Sequence, residues 1–174
     1  MDLTKHKTQN FPPLNDFHTL VFDFDGIFTN NKVFIDQNGL EMVCCDRSDG
    51  LGFNILKKHL FINNIFLNLI IVSKEKNPIA LKRAEKLKID CFIGIDNKLK
   101  FVKDFVQAID EKGKQDLSGV LYAGNDLNDY FVMREVGFSV APQDAHPLIQ
   151  NTASIVLPRN GGEGFLRYLI EALD

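Results

Sequence analysis

The stretch that decides the fold is HTLVFDFDG, which occupies residues 18–26. Its first part is a near-continuous apolar run, and such a run predicts a β-strand that is covered on both faces. The strand leads into Asp23-Phe24-Asp25-Gly26, where strand alternation points the carboxylates of Asp23 and Asp25 to the same side of the chain. Two carboxylates this close repel each other, so the pair requires a cation or a shared proton.

Further apolar runs follow the first, and helical patterns lie between them. The predicted strands are His18–Phe24, Phe66–Val72, Cys91–Ile95, Gly119–Ala123, Gly137–Ala141 and Ser154–Leu157. Apolar residues repeat at helical spacing in the stretches that begin at Asn77 and Asn97. This alternation predicts an α/β fold, a Rossmann-like three-layer sandwich in which a mostly parallel sheet has helices on both sides.

One segment interrupts the alternation. Residues 27–46 contain two short strand-like runs separated by Asn38-Gly39, a dipeptide that strongly favours a hairpin turn. A β-hairpin that projects from the first crossover is therefore predicted there. Residues 1–16 are polar and predict an N-terminal arm, which leaves 17–174 as a single domain. The gaps between motifs are too short for a large additional cap domain, so the domain is expected to be capless.

Composition and charge narrow the range of functions. The chain has 174 residues, 45% of them hydrophobic and 25% charged, as in an ordinary globular domain. A net charge of −3 gives no broad surface for nucleic acid, so no nucleic-acid partner is expected. The three cysteines have no metal-type spacing, the N-terminus lacks a signal-peptide core, and the longest apolar run is too short to cross a membrane. We therefore expect a cytoplasmic protein without a membrane partner.

Polar side chains follow the later predicted strands. Ser73 could hold a phosphate oxygen through its hydroxyl and its N–H, and Lys98 could neutralise a phosphoryl group. The run Gly124-Asn125-Asp126-Leu127-Asn128-Asp129 carries four oxygen-bearing side chains, which suit a metal site. Each group alone has a plainer explanation, as a helix cap or a solvated charge. Ligands bind at the carboxyl ends of parallel strands, however, so we expect these groups to meet the first acidic pair.

Taken in order, Asp-x-Asp-Gly, Ser, Lys and Gly-Asn-Asp-x-x-Asp resemble the motifs of haloacid dehalogenase-like phosphatases, over essentially the whole chain after the arm. The resemblance implies a magnesium-dependent phosphomonoester hydrolase that acts through an aspartyl-phosphate. It implies Asp23 as nucleophile and metal ligand, and Asp25 as general acid/base and as metal ligand through its carbonyl. By the same resemblance the remaining residues bind phosphate (Ser73 and Lys98) or complete and support the Mg²⁺ site (Asn125, Asp126 and Asp129).

The last motif departs from the family pattern at one position. Many members carry Asp immediately after its glycine, where this chain has Asn125. Either the amide oxygen of Asn125 or the carboxylate of Asp126 must then serve the metal, and the sequence leaves that choice open.

Longer stretches are similar to one subgroup of these phosphatases. They are Asp46–Gly52, Ser73–Pro78, Ala84–Ile89, Gly94–Leu99 and Asn160–Gly164. The subgroup contains 3-deoxy-D-manno-octulosonate 8-phosphate phosphatase, its nine-carbon relatives and the C-terminal domain of acylneuraminate cytidylyltransferases. The similarity implies a small sugar phosphate as substrate, namely an 8- or 9-phosphorylated 3-deoxy-2-ulosonic acid. It also implies a homotetramer that associates through the hairpin, with part of a neighbouring subunit over the active site.

Two surfaces of the chain bear on that assembly. The hairpin has apolar residues that association would bury, unless they pack on their own domain: Val33, Phe34, Ile35, Met42 and Val43. The loop 158–164 could present Arg159 and bare N–H groups to an anion, or it could simply lead into a helix. The candidate contacts for substrate or a neighbouring subunit are Asp49, Arg159, Gly161 and Gly162.

Other functions compete with the phosphatase. A non-catalytic oligomerisation module, associated with acylneuraminate cytidylyltransferase, would keep the fold and the assembly but not the turnover. A phosphoacceptor receiver domain also uses acidic residues and Mg²⁺, but normally places its acidic pair and its phosphoacceptor on different strands, whereas Asp23 and Asp25 share one. The sequence has neither phosphate-binding glycine motif of the nucleotide-binding folds.

Overall fold

The computed structural model describes residues 11–109 and 116–173. The strands are β1 (Thr19–Phe22), β2 (Phe34–Ile35), β3 (Glu41–Met42), β4 (Asn68–Val72), β5 (Asp90–Phe92), β6 (Val120–Ala123), β7 (Phe138–Pro142) and β8 (Ile155–Leu157). The helices are α1 (Arg47–Ile62), α2 (Ile79–Leu87), α3 (Lys98–Ile109), α4 (Tyr130–Glu135), α5 (Pro147–Thr152) and α6 (Phe165–Leu173). A strand overlaps each of the six predicted apolar runs; five of the strands are shorter than predicted, and β7 has the predicted length but is shifted by one residue.

The central sheet has six parallel strands in the order β5-β4-β1-β6-β7-β8. Strand β1 lies in the middle, where Phe22 is in register with Ile71 of β4 and with Ala123 of β6. The residues that follow these three strands therefore emerge side by side at the carboxyl edge of the sheet. This register brings Asp23 next to Ser73 on one side and to the loop that begins at Gly124 on the other.

Helices cover both faces of the sheet and make the predicted three layers. Alternate residues of β1 point to opposite faces: Leu20 and Phe22 join one core, and Val21 joins the other. The first core is completed by apolar faces of α1, α2 and α6, and the second by α3, α4 and α5. Both faces of the strands are thus buried, which is why the strands read as continuous apolar runs rather than as alternating ones.

The predicted hairpin is present as an antiparallel pair of β2 and β3. Asp36 closes its turn, because its carboxylate accepts hydrogen bonds from the N–H groups of Asn38 and Leu40 at 2.8 Å each. Phe34 and Ile35 are each 63% exposed, and Val33 and Met42 are also exposed. Val43 differs from the expectation, since it is half-buried and packs against the chain's own core.

The predicted arm falls partly inside the described part of the chain. Residues 1–10 of it lie outside, whereas Leu14 is buried and the ring of Phe11 lies 5.3 Å from the ring of Phe138 in the sheet.

Helix α6 lies near the C-terminal end of the described residues, and its apolar face packs on α1. Within residues 11–109 and 116–173, no helix has the length and hydrophobicity needed to cross a membrane.

Candidate active site

Five of the predicted site residues line a cleft of about 310 Å³ at the carboxyl edge of the sheet: Asp23, Asp25, Ser73, Asn125 and Asp126. Asp23 and Asp25 follow β1, Ser73 follows β4, and the loop after β6 forms the opposite wall. A second cavity of about 320 Å³ adjoins the cleft between the hairpin and α2, and the two cavities share Asp25 and Ser73. Groups separated by a hundred residues in sequence are thus assembled by strand register alone.

Asp23 is the buried carboxylate at the floor of the cleft, with 3% of its surface exposed. Its Oδ1 accepts hydrogen bonds from Lys98 Nζ and from the N–H of Phe24, both at 2.7 Å. No donor within the described part of the chain holds Oδ2, which is therefore the oxygen available to a ligand or substrate. Burial and then the charge of Asp129 raise the pKa of Asp23 to about 8, although Lys98 acts in the opposite direction.

Lys98 is a buried cation between two carboxylates. Its side chain is 1% exposed, and Nζ lies 2.7 Å from Asp23 Oδ1 and 2.7 Å from Asp129 Oδ1. Burial alone would lower the pKa of Lys98, but the two aspartates outweigh that effect and raise it. Lys98 therefore stays charged, and it offsets part of the negative charge in the cleft.

Asp25 lines both cavities and is half-buried. Burial first, and then the neighbouring charge of Glu75, raise the pKa of its carboxyl above the ordinary value. A carboxyl with a raised pKa can carry a proton at a pH where an ordinary aspartate has lost it. This environment suits the acid/base role that the sequence resemblance implies for Asp25.

Ser73 is buried beside Asp25, but only part of it is available to a phosphate. Its N–H donates to the carbonyl of Phe92 at 2.9 Å as part of the sheet, and its carbonyl accepts from Ile95. This corrects the expectation that the N–H of Ser73 contributes to phosphate binding. The hydroxyl is the group of Ser73 that can still do so.

Asp129 organises the loop after β6 and is itself fully buried. One carboxylate oxygen, Oδ1, accepts from Lys98 and from the hydroxyl of Tyr122, each at 2.7 Å. The other oxygen, Oδ2, accepts from the N–H groups of Asn125 at 2.9 Å and Asp126 at 3.3 Å. Asp129 therefore holds both the lysine and the backbone of the loop. Sequence reasoning gave Asp129 a supporting role but missed Tyr122.

The structure distinguishes Asn125 from Asp126. Asp126 is exposed, and its carboxylate caps a short 3₁₀ turn by accepting from the N–H of Leu127 at 2.7 Å. The Oδ1 atom of Asn125 is instead buried without a hydrogen-bond partner in the described residues. Its amide group packs on Gly26, where a Cβ atom would lie 1.9 Å from Asn125 Nδ2. Gly26, at a φ of +79°, thus lets the amide reach the end of β1.

The donor set of the cleft fits a hard divalent cation. The unpaired Asn125 Oδ1 is an oxygen ligand that otherwise has no partner, and its burial without one is unfavourable. Asp23 needs a further cation nearby if it is to be ionised at neutral pH. The described residues contain no cluster of three or more His, Cys, Asp and Glu side chains placed for a metal.

Three of the expected contacts for substrate or a neighbouring subunit are used inside the chain instead. Asp49 is fully buried and accepts from the N–H of Arg167 at 2.9 Å, so it caps the first turn of α6. The N–H groups of Gly161 and Gly162 donate to the Asp144 carboxylate and the Ile27 carbonyl, both at 3.0 Å. The two glycine N–H groups are therefore not available to an anion, whereas contact of these residues with substrate or a neighbouring subunit stays a prediction. Arg159 is exposed and stays a candidate.

The two glycines are required by a close approach to the base of the hairpin. A Cβ on Gly161 would lie 1.8 Å from the carbonyl oxygen of Gly26, and one on Gly162 would lie 2.4 Å from the N atom of Asn30. No side chain fits in either place. The loop before α6 therefore fastens the segment that carries Asp23 and Asp25, and this packing explains the glycines without an anion.

A parallel sheet with an aspartate–lysine–aspartate cluster at the end of its central strand defines the haloacid dehalogenase-like class. No family model matches the chain. The chain is 32% identical to the 3-deoxy-D-manno-octulosonate 8-phosphate phosphatase of Salmonella typhi over 155 residues, which are 88% of this chain and 77% of that protein. This similarity shows that the chain belongs to the family of 3-deoxy-D-manno-octulosonate 8-phosphate phosphatases.

Solved structures agree with that assignment. A haloacid dehalogenase (HAD) family hydrolase from Streptomyces avermitilis has a TM-score of 0.82 and is 36% identical, with 94% of each chain covered. The cobalt-bound deoxy-D-mannose-octulosonate 8-phosphate phosphatase of Haemophilus influenzae has a TM-score of 0.77 and is 25% identical. That match covers 92% of this chain and 88% of the other.

Proposed function

We propose that this protein is a magnesium-dependent phosphomonoester hydrolase that acts on 3-deoxy-D-manno-octulosonate 8-phosphate or a closely similar eight- or nine-carbon 3-deoxy-2-ulosonate phosphate. The observation that carries the proposal is the buried contact of Lys98 with Asp23 and Asp129 at the carboxyl end of the central strand. The name and the 32% identity of the Salmonella typhi relative support the choice of substrate. The cavity beside the cleft offers about 320 Å³ for the sugar.

The residues act in the following order in this proposal. The Oδ2 atom of Asp23 attacks phosphorus, while Lys98 and the hydroxyl of Ser73 hold the phosphoryl oxygens. Asp25 gives its proton to the departing sugar oxygen, so that an aspartyl-phosphate and a free alcohol are formed. Asp25 then takes a proton from the water that attacks phosphorus, which releases phosphate and restores Asp23.

The same proposal assigns the metal ligands. Mg²⁺ would be held by the carboxylate of Asp23, the carbonyl of Asp25 and the Oδ1 atom of Asn125, with Asp126 left to cap its turn. When bound there, the ion supplies positive charge that offsets the charge of the nucleophile and of the phosphate. The unpaired Asn125 oxygen and the cobalt-bound relative support this assignment.

We further propose that the chain forms a homotetramer through its hairpin. The exposed apolar side chains of Phe34, Ile35 and Met42 support this, because contact with another subunit would remove them from water. Light scattering should give a tetramer for the wild type and a smaller species for Phe34→Ser. The control is Phe61→Ser, which changes an equally apolar side chain that is 87% exposed on α1. A wild-type monomer would contradict this part of the proposal.

A cytoplasmic location belongs to the same proposal. It is supported by the cysteines Cys44, Cys45 and Cys91, none of which forms a disulfide in the structure.

Turnover of a panel of sugar phosphates with Mg²⁺ tests the function. The 8- and 9-phosphorylated 3-deoxy-2-ulosonates should be the best substrates, and Asp23→Asn should abolish their hydrolysis without unfolding the protein. A second reading is the non-catalytic oligomerisation module, which the paired Asp23 and Lys98 disfavour. A stable tetramer that hydrolyses neither these sugars nor an aryl phosphate at high enzyme concentration would favour that module.

A further inference from the structure

Tyr122 is a tyrosine in the middle of β6 whose side chain is completely buried. Its ring belongs to the core between the sheet and helices α3, α4 and α5. Its hydroxyl is not left without a partner in that apolar core, because it donates a hydrogen bond to Asp129 Oδ1 at 2.7 Å. The tyrosine thus connects the packed interior to the charged cluster of the cleft without reaching the cleft itself.

The hydroxyl completes the coordination of Asp129. An ionised carboxylate offers about four acceptor positions, and four donors surround this one: Lys98 and Tyr122 on Oδ1, and the N–H groups of Asn125 and Asp126 on Oδ2. The orientation of the Asp129 carboxylate is therefore fixed by its neighbours. Because Tyr122 lies on a rigid strand, the hydrogen bond from its hydroxyl holds Asp129 in a fixed place.

The contacts of Lys98 depend on that hydrogen bond. Its Nζ is shared between Asp129 Oδ1 and Asp23 Oδ1, at 2.7 Å from each. The two carboxylates compete for one ammonium group, and the hydrogen bond from Tyr122 takes up part of the charge on Asp129 Oδ1. Without that hydrogen bond Asp129 would attract the lysine more strongly, and Lys98 would do less for Asp23 and for a phosphoryl group on it.

We propose that Tyr122 is a positioning residue of the phosphoryl-transfer site, which acts through Asp129 to set how Lys98 is divided between Asp129 and Asp23. This inference rests on the proposed function. It goes beyond it because Tyr122 is not among the residues that the proposed mechanism assigns to the substrate or the metal. A tyrosine that serves only the core would affect only the stability of the fold, whereas the proposed role of Tyr122 also affects the rate of phosphoryl transfer.

The test is a double-mutant cycle in kcat, measured with an aryl phosphate at saturating Mg²⁺. Tyr122→Phe removes only the hydroxyl and should lower kcat about tenfold, while KM changes by less than about twofold. In an Asp129→Asn background the same substitution should have no further effect on kcat, because its target is gone. Tyr130→Phe is the matched control: its hydroxyl contacts Arg134 at 3.4 Å on the outer helix, and it should retain wild-type kcat.

Each outcome decides the matter. Equal kcat for Tyr122→Phe and Tyr130→Phe would overturn the inference, and so would losses that multiply in the double mutant. Thermal unfolding is measured on every variant, and a Tyr122→Phe protein that is unfolded at the assay temperature would show that the hydroxyl serves the fold instead. A wild type without turnover would overturn the proposed function and this inference together, whereas an active wild type with an unaffected variant overturns the inference alone.

Discussion

Replacement of Lys98 by methionine tests how the cleft is held together. Lys98 Nζ lies 2.7 Å from both Asp23 and Asp129, and the three side chains are between 0% and 5% exposed. An ionised carboxylate–ammonium pair at that distance attracts by roughly 6 kcal/mol if the effective dielectric constant is about 20, before desolvation is subtracted. Removal of one partner from a buried pair costs about 3–5 kcal/mol, because an uncompensated charge is left behind. We expect a loss of that size in the free energy of unfolding.

Urea unfolding at pH 7, followed by circular dichroism, measures this loss. The matched control is Lys100→Met, which makes the same substitution two residues along α3 at a side chain that is 70% exposed. Its ion pair with Asp104 is solvated, so its removal should change the free energy of unfolding by no more than about 0.5 kcal/mol. Equal losses for the two variants would refute the reasoning, since they would show that Lys98 is not held by a buried electrostatic contact.

Other consequences of the structure can be checked in the same way. Gly26→Ala should raise the Mg²⁺ concentration needed for half-maximal activity at least about tenfold, because its Cβ displaces Asn125. Gly39→Ala, at the same φ of +79° but with no atom in the way, should not, and equal shifts would contradict the assignment. Burial raises the pKa of Asp49 to about 6 from an ordinary 3.8, so the contribution of Asp49 to the free energy of unfolding should fall as the pH rises through that interval. In urea unfolding, the free energy of unfolding of Asp49→Asn relative to wild type should rise by about 2–3 kcal/mol from pH 4 to pH 7. A difference between the two proteins that stays constant with pH would contradict this. Chelation with EDTA should abolish turnover until Mg²⁺ is restored, and full activity in EDTA would exclude the metal.

Much of the fold and the order of the site could be predicted because both depend on local signals. The apolar runs mark strands that are buried on both faces, and the turn at Asn38-Gly39 marks the hairpin. Asp23 and Ser73 each follow a strand directly and Asn125 follows one after a single glycine, so a parallel sheet must bring them to one edge. Helix α6 entered the sequence analysis only as a helix into which the loop 158–164 could lead, although its apolar residues recur at helical spacing and pack on α1.

What the sequence could not provide are the contacts between segments far apart in the chain. Gly161 and Gly162 read as an anion loop, but their reason is a close approach to residues 26–30, which only the folded chain shows. Asp49 likewise caps a helix that begins more than a hundred residues later. Tyr122 left one usable signal, because a tyrosine inside a fully buried strand needs a partner for its hydroxyl.

Covalent trapping on Asp23 tests the central claim most directly. Asp25→Asn should still be phosphorylated by an aryl phosphate with a good leaving group, but it should hydrolyse the intermediate slowly because water is no longer deprotonated. Rapid acid quenching in the presence of Mg²⁺, followed by peptide mass spectrometry, should find one phosphoryl group on Asp23. Turnover without any phosphorylated peptide, or with the phosphoryl group on another residue, would contradict the account.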